Sequence, residues 1–129
     1  MNQAANRAPL LLTMGDPCGI GPEIIAKAFA MGQLQDTVVV ADLQVMRRAL
    51  AVIDLAVPVA VLASLADAAT VPPDCLPVWP APGLPLGLAE LPWGQVHAQA
   101  GAGAAACIGA ATHAVLRGEA SGLVTAPVH

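Results

Sequence analysis

The sequence predicts an α/β fold, a mostly parallel sheet with flanking helices. Short apolar runs of β type alternate along the chain with segments of helical period. One of those runs, Val38 to Ala41 (VVVA), is apolar throughout, as expected of a strand buried on both faces. Helix-start signals follow the runs closely: Pro22 and Glu23 after the first, Asp42 after the second.

Leu10 to Met14 is the first predicted strand. The helix after it begins at Pro22, whose missing N–H would have no partner in a first turn. Glu23 favours the helix dipole there and forms a well-oriented i,i+4 pair with Lys27. Val38 to Ala41 is the second strand, and Asp42 caps a helix in which Leu43, Met46, Leu50 and Ile53 form one apolar stripe. Val59 to Ala63 reads as a third strand. Ser64 and Asp67 have the spacing of a capping box for a short helix.

Residues 71–94, VPPDCLPVWPAPGLPLGLAELPWG, are rich in Pro and Gly and read as an irregular loop, interrupted by one strand from Leu76 to Trp79. A loop of that length in a compact domain is functional or part of an interface. Gln95 to Arg117 is a long predicted helix with Gly118 as its C-terminal cap. Gly101, Ala104, Ile108, Ala111 and Val115 share its expected buried face; Gln99, His113 and Arg117 share the opposite one. Gly122 to Thr125 is the last strand, followed by Ala126-Pro127-Val128-His129.

Composition narrows the function. The chain has 129 residues, enough for one domain or part of one, and five basic against nine acidic residues give a net charge of −4. No Lys/Arg cluster is present to neutralise phosphates, and Phe29, Trp79 and Trp93 are the only aromatic residues on which bases could stack, so nucleic acid is excluded as a partner. With 57% hydrophobic and 11% charged residues, some apolar surface is expected to have a partner. Leu91 to Leu116 lacks charge, but its Pro, Gln and His residues and its Ala/Gly-rich middle make it too weak for a membrane span. The N-terminal apolar run is too short for a signal peptide, and a cytoplasmic location is expected. Cys18, Cys75 and Cys107 lie far apart without ligand spacing, which argues against a disulfide framework and a zinc site.

The first turn, Gly15 to Gly21, is where chemistry is expected. Gly19-Ile20-Gly21 after a strand, with Asp42 closing the next strand, approaches the dinucleotide fingerprint. The third glycine of that pattern would fall on Ile24, and Pro17 and Pro22 do not suit a phosphate loop. Asp42 is more simply a helix cap. What remains is a helix N-terminus with a Gly-rich approach, suited to an anion or a polar substrate group, with Asp16 either facing a ligand or bracing the turn. Ligands of parallel sheets gather at the carboxyl ends of strands, and Thr125 and His129 leave the last strand at that same edge. His97 and His113 have no acidic or Cys partner at ligand spacing.

Thr13-Met14-Gly15-Asp16-Pro17 running into Gly19-Ile20-Gly21-Pro22-Glu23, together with Val124-Thr125-Ala126-Pro127-Val128-His129, resembles the 4-hydroxythreonine-4-phosphate dehydrogenase family of pyridoxal phosphate biosynthesis. Val39 to Asp42 and Gly94 to Gly101 fit the same order, and Cys18 stands where a small residue is usual. The resemblance covers this chain but only the N-terminal two-fifths or so of the family, whose fold is similar to isocitrate and isopropylmalate dehydrogenases. It implies NAD-dependent oxidation (NADP being possible) of 4-phosphooxy-L-threonine, then loss of CO₂. It also implies a homodimer and a divalent metal (Zn, Mg, Mn or Co) whose histidine ligands follow residue 129. His129 occupies the position of the family's substrate-contacting histidine; Thr125 and Asp16 complete the expected substrate-binding set. The chain is therefore expected to be an N-terminal part of one subunit, inactive alone. Two other readings stay open: a sibling dehydrogenase of sugar-acid 4-phosphates such as erythronate or threonate 4-phosphate, and a non-catalytic remnant of the fold.

Overall fold

The structure is a computed structural model and describes residues 8–128. Five parallel strands form one sheet: β1 (Leu10–Thr13), β2 (Thr37–Val40), β3 (Val59–Val61), β4 (Leu76–Trp79) and β5 (Gly122–Thr125). Among the described residues three helices accompany them, α1 (Gly21–Ala30), α2 (Leu43–Val52) and α3 (Ala98–Leu116), with 3-10 turns at Leu65–Thr70 and Leu88–Glu90. The strand order is β3-β4-β2-β1-β5. The parallel α/β architecture is the one the alternating pattern predicts.

Each local boundary has a physical reason. β1 stops at Thr13, one residue earlier than expected, because Gly15 takes a left-handed φ of +70° and turns the chain away. β2 runs from Thr37 to Val40 rather than Val38 to Ala41, and all four residues are buried at the centre of the sheet. β3 is shorter than predicted, ending at Val61. The expected capping box of Ser64 and Asp67 is present, the Ser64 N–H donating to Asp67 Oδ2 (3.3 Å), but it opens a 3-10 turn rather than an α-helix. Asp42 caps α2 by accepting a hydrogen bond from the Val45 N–H (3.0 Å). The buried strip of α2 is Val45, Met46, Ala49 and Leu50; Leu43 and Ile53 are only half-buried at its ends.

α3 departs most from its expected orientation. It starts at Ala98, since His97 is extended (φ −130°, ψ 139°). Its buried strip is Ala100, Gly103, Ala104, Cys107, Ala111 and Ala114, whereas Gly101 is exposed and Ile108 and Val115 half-buried. The orientation follows from what the helix meets: a Cβ on Gly103 would lie 2.8 Å from Leu88 Cδ1 and 3.6 Å from Met14 Cε. The smallest residue is turned toward the most crowded neighbours. Burial pushes the Cys107 thiol up to about 12, with the Asp42 charge adding to the shift, so this buried cysteine stays protonated at neutral pH.

Nothing lies within 4 Å of the Cβ position on Gly101. Alanine there should raise stability by about 0.5–1 kcal/mol through helix propensity alone. A rise in the thermal midpoint of Gly101→Ala checks it.

Among the described residues no helix is long and apolar enough to cross a membrane.

Candidate functional site

β1 lies between β2 and β5. The chain therefore leaves β1 to one side and returns to its other side only at the end, which makes the gap between β1 and β5 the switch point of the sheet. Crevices for ligands form there, beyond the carboxyl ends of the strands. The two segments that open into it are the Gly15–Gly21 turn and the residues after Thr125.

These two segments are bonded to each other. The Asp16 N–H donates to the Pro127 carbonyl (2.9 Å), and the Ala126 N–H donates to the Thr13 carbonyl (3.0 Å). Glycine permits the approach. A Cβ on Gly15 would collide with the Pro127 carbonyl oxygen and lie 2.7 Å from that of Ala126; one on Gly21 would collide with the Met14 carbonyl oxygen and lie 3.0 Å from Ala126 Cβ. The turn is also braced from within. Asp16 Oδ1 accepts the Cys18 N–H (2.9 Å), and the Asp16 carbonyl accepts the Gly19 N–H (3.0 Å). Asp16 therefore braces the turn, one of the two roles the sequence allows. Its second carboxylate oxygen takes no hydrogen bond among the described residues.

Thr125 ends β5 in register with Thr13, exposed, with its hydroxyl donating to the Ala126 carbonyl (2.9 Å). Asp16 and Thr125 are thus brought to one rim. His129 lies outside the described residues, one position beyond the exposed Val128. His113 is exposed on α3, while His97 precedes α3 with its Nε2 buried and no partner among the described residues. The Thr13 hydroxyl is likewise buried without a partner.

One residue of the site was not anticipated. Arg48 on α2 donates to three carbonyls: Ala89 (2.6 Å) and Leu91 (2.9 Å) through Nη1, and Pro17 (3.0 Å) through Nη2. Its guanidinium carbon sits 4.6 Å from the centre of the Trp93 ring, a cation–π distance. The Gly94 N–H adds a bond to the Cys18 carbonyl (2.8 Å). The end of the Pro/Gly-rich stretch is thereby fastened onto the first turn. Cys18, buried inside that turn, has its thiol pKa raised by burial first and the nearby Asp16 charge second; the Arg48 cation opposes the shift.

The geometry limits what else can be held here. At Gly15 and Gly21 the space that glycine frees is filled by the chain's own carbonyls and by Ala126, and at Gly19 it is bordered by the Asp16 carboxylate, an unfavourable neighbour for a pyrophosphate. No group of three or more His, Cys, Asp or Glu side chains able to hold a metal gathers among the described residues. What the rim offers is one carboxylate oxygen, a threonine oxygen and the backbone of a turn entering a helix.

A parallel sheet with two loops joined at its switch point is an α/β domain of the kind in which ligands ordinarily sit beyond the carboxyl ends of the strands. Comparison with known proteins gives the family. The model of the family described as pyridoxal phosphate biosynthetic protein PdxA matches residues 33–129. The chain belongs to the PdxA family. It is 39% identical to D-threonate 4-phosphate dehydrogenase of Pectobacterium atrosepticum, over 93% of this chain and 37% of that protein. It is 38% identical to 4-hydroxythreonine-4-phosphate dehydrogenase of Beijerinckia indica, over 94% of this chain and 35% of that one. The crystal structure of 4-hydroxythreonine-4-phosphate dehydrogenase from Klebsiella pneumoniae superposes with a TM-score of 0.82 at 37% identity, covering 95% of this chain and 38% of that one. The chain thus spans little more than a third of the length of these relatives.

Proposed function

We propose that this chain is the N-terminal part of a 4-hydroxythreonine-4-phosphate dehydrogenase and supplies one wall of its substrate site. The observation that carries the reading is the bonded pair of loops at the β1/β5 switch point, in a chain of the PdxA family. The substrate is a phosphorylated hydroxy acid, 4-phosphooxy-L-threonine. Oxidation removes a hydride from the carbon bearing the 3-hydroxyl and a proton from the oxygen. The β-keto acid so formed loses CO₂ and leaves 3-amino-2-oxopropyl phosphate.

NAD, when bound, is the hydride acceptor, and its binding residues are proposed to lie outside the described ones. The divalent metal finds no ligand set here, and its ligands are proposed to follow residue 129 in a cytoplasmic homodimer. The part of this chain is orientation. Its turn presents the Asp16 carboxylate, and the end of β5 presents Thr125 with His129 following, so that substrate is held at a fixed place against the sheet edge. The apolar, exposed edge supports the incomplete-subunit reading: Val124 on β5 is 51% exposed and Leu116, just before it, 79%, whereas strands of parallel sheets are ordinarily covered on both faces.

A second reading has its own support in the Pectobacterium relative: D-threonate 4-phosphate as substrate. Turnover separates the readings. The longer protein carrying this chain, supplied with NAD and a divalent metal, should reduce NAD with 4-phosphooxy-L-threonine faster than with D-threonate 4-phosphate. The 129-residue chain alone should reduce none. Preference for the threonate ester would favour the second reading, and failure with both esters would remove the dehydrogenase assignment.

A further inference from the structure

The Arg48 cluster joins three separate parts of the chain: α2, the first turn, and the stretch from Leu88 to Gly94. Its guanidinium has no carboxylate within 4 Å among the described residues. The half-buried cation is met by three backbone carbonyls, the Trp93 ring and the neighbouring Cys18 thiol rather than by a carboxylate, so what it holds is backbone from separate parts of the chain. The planar fork matches this spread of acceptors, since one guanidinium reaches the Ala89 and Leu91 carbonyls through one nitrogen and the Pro17 carbonyl through another. An ammonium on a flexible stem has no such fixed spread. Pro17 immediately follows Asp16, and the Cys18 N–H is what Asp16 Oδ1 accepts. Pulling on the Pro17 carbonyl therefore moves the same peptide that aims the Asp16 carboxylate.

We propose that Arg48 is a positioning residue, which sets the reach of the Gly15–Gly21 turn toward substrate by strapping it to the Leu88–Gly94 stretch. Trp93 covers the strap, and the Gly94-to-Cys18 bond closes it. Arg48 acts through the turn and touches no substrate. The inference rests on the proposed function for its substrate, but the strap itself is independent of it.

The test uses the longer protein carrying Arg48→Lys, Arg48→Met or Trp93→Leu. Amide hydrogen exchange at residues 18–20 and at Gly94 reads the strap, and steady-state kinetics reads positioning. Exchange should accelerate at least tenfold in Arg48→Met. The KM for the phosphorylated acid should rise about tenfold with kcat within threefold, and the KM for the dinucleotide should be unchanged. Arg48→Lys should fall between parent and Arg48→Met in both readouts, and Trp93→Leu should show a weaker form of the same pattern. Faster exchange with an unchanged substrate KM would overturn the positioning role. Unchanged exchange in Arg48→Met would overturn the strap. Should the unsubstituted protein turn over neither phosphorylated acid, the proposed function fails while exchange still decides the strap; should Arg48→Met not fold, Arg48→Lys and Trp93→Leu carry the same comparison.

Discussion

Gly15→Ala should be the most damaging small substitution in this chain, lowering stability by about 3 kcal/mol or more. Two costs add. The backbone at Gly15 has φ +70°, and a Cβ in the left-handed region costs roughly 1–2 kcal/mol. The added methyl would also collide with the Pro127 carbonyl and press on that of Ala126 at 2.7 Å. Both contacts are backbone, so no side chain can rotate out of the way; the two loops must separate, breaking the Asp16-to-Pro127 and Ala126-to-Thr13 bonds. Gly32→Ala is the matched control. It has φ +73° and nothing within 4 Å of its Cβ position, so it should cost only the backbone preference, about 1–2 kcal/mol. Thermal unfolding of the two variants in the longer protein measures the difference. Equal losses would mean the loops are not held as close as the structure has them.

Asp16→Asn should separate the brace from the ligand role. Asparagine keeps a side-chain oxygen for the Cys18 N–H, so the turn and the thermal midpoint should be nearly preserved. The negative charge on the second oxygen is lost. A charge-assisted hydrogen bond is worth about 1.5–3 kcal/mol, and each ~1.4 kcal/mol is tenfold. If that carboxylate faces the substrate ammonium, kcat/KM for 4-phosphooxy-L-threonine should fall by roughly 10–100-fold. Threonate 4-phosphate carries a hydroxyl at that carbon, and its turnover should fall much less. Asp16→Ala, lacking the brace as well, should lose activity on both and stability besides. Comparable activity of Asp16→Asn and parent on the amino substrate would confine Asp16 to bracing.

Sheet content was legible because strand composition is local information. The βαβ rhythm, the Asp42 cap and the Ser64/Asp67 box all depend on neighbours within a few residues, and each is present. The orientation of α3 was not legible. A run such as AGAGAAACIGAA has almost no amphipathic contrast from which to choose a face; Leu88 and Met14, contributed by other elements, decide it. The same distinction runs through the site. Asp16 and Thr125 stand out by residue type at strand ends, whereas no motif in the sequence draws attention to Arg48. Its partners lie 31 to 43 residues away in sequence, and only the folded chain brings them to it.

The position of bound 4-phosphooxy-L-threonine in a crystal structure of the longer protein tests the central claim most directly. The ligand should lie at the β1/β5 switch point, touched both by the Gly15–Gly21 turn and by the segment after Thr125. A ligand at the opposite end of the strands, or one contacting neither segment, would contradict it.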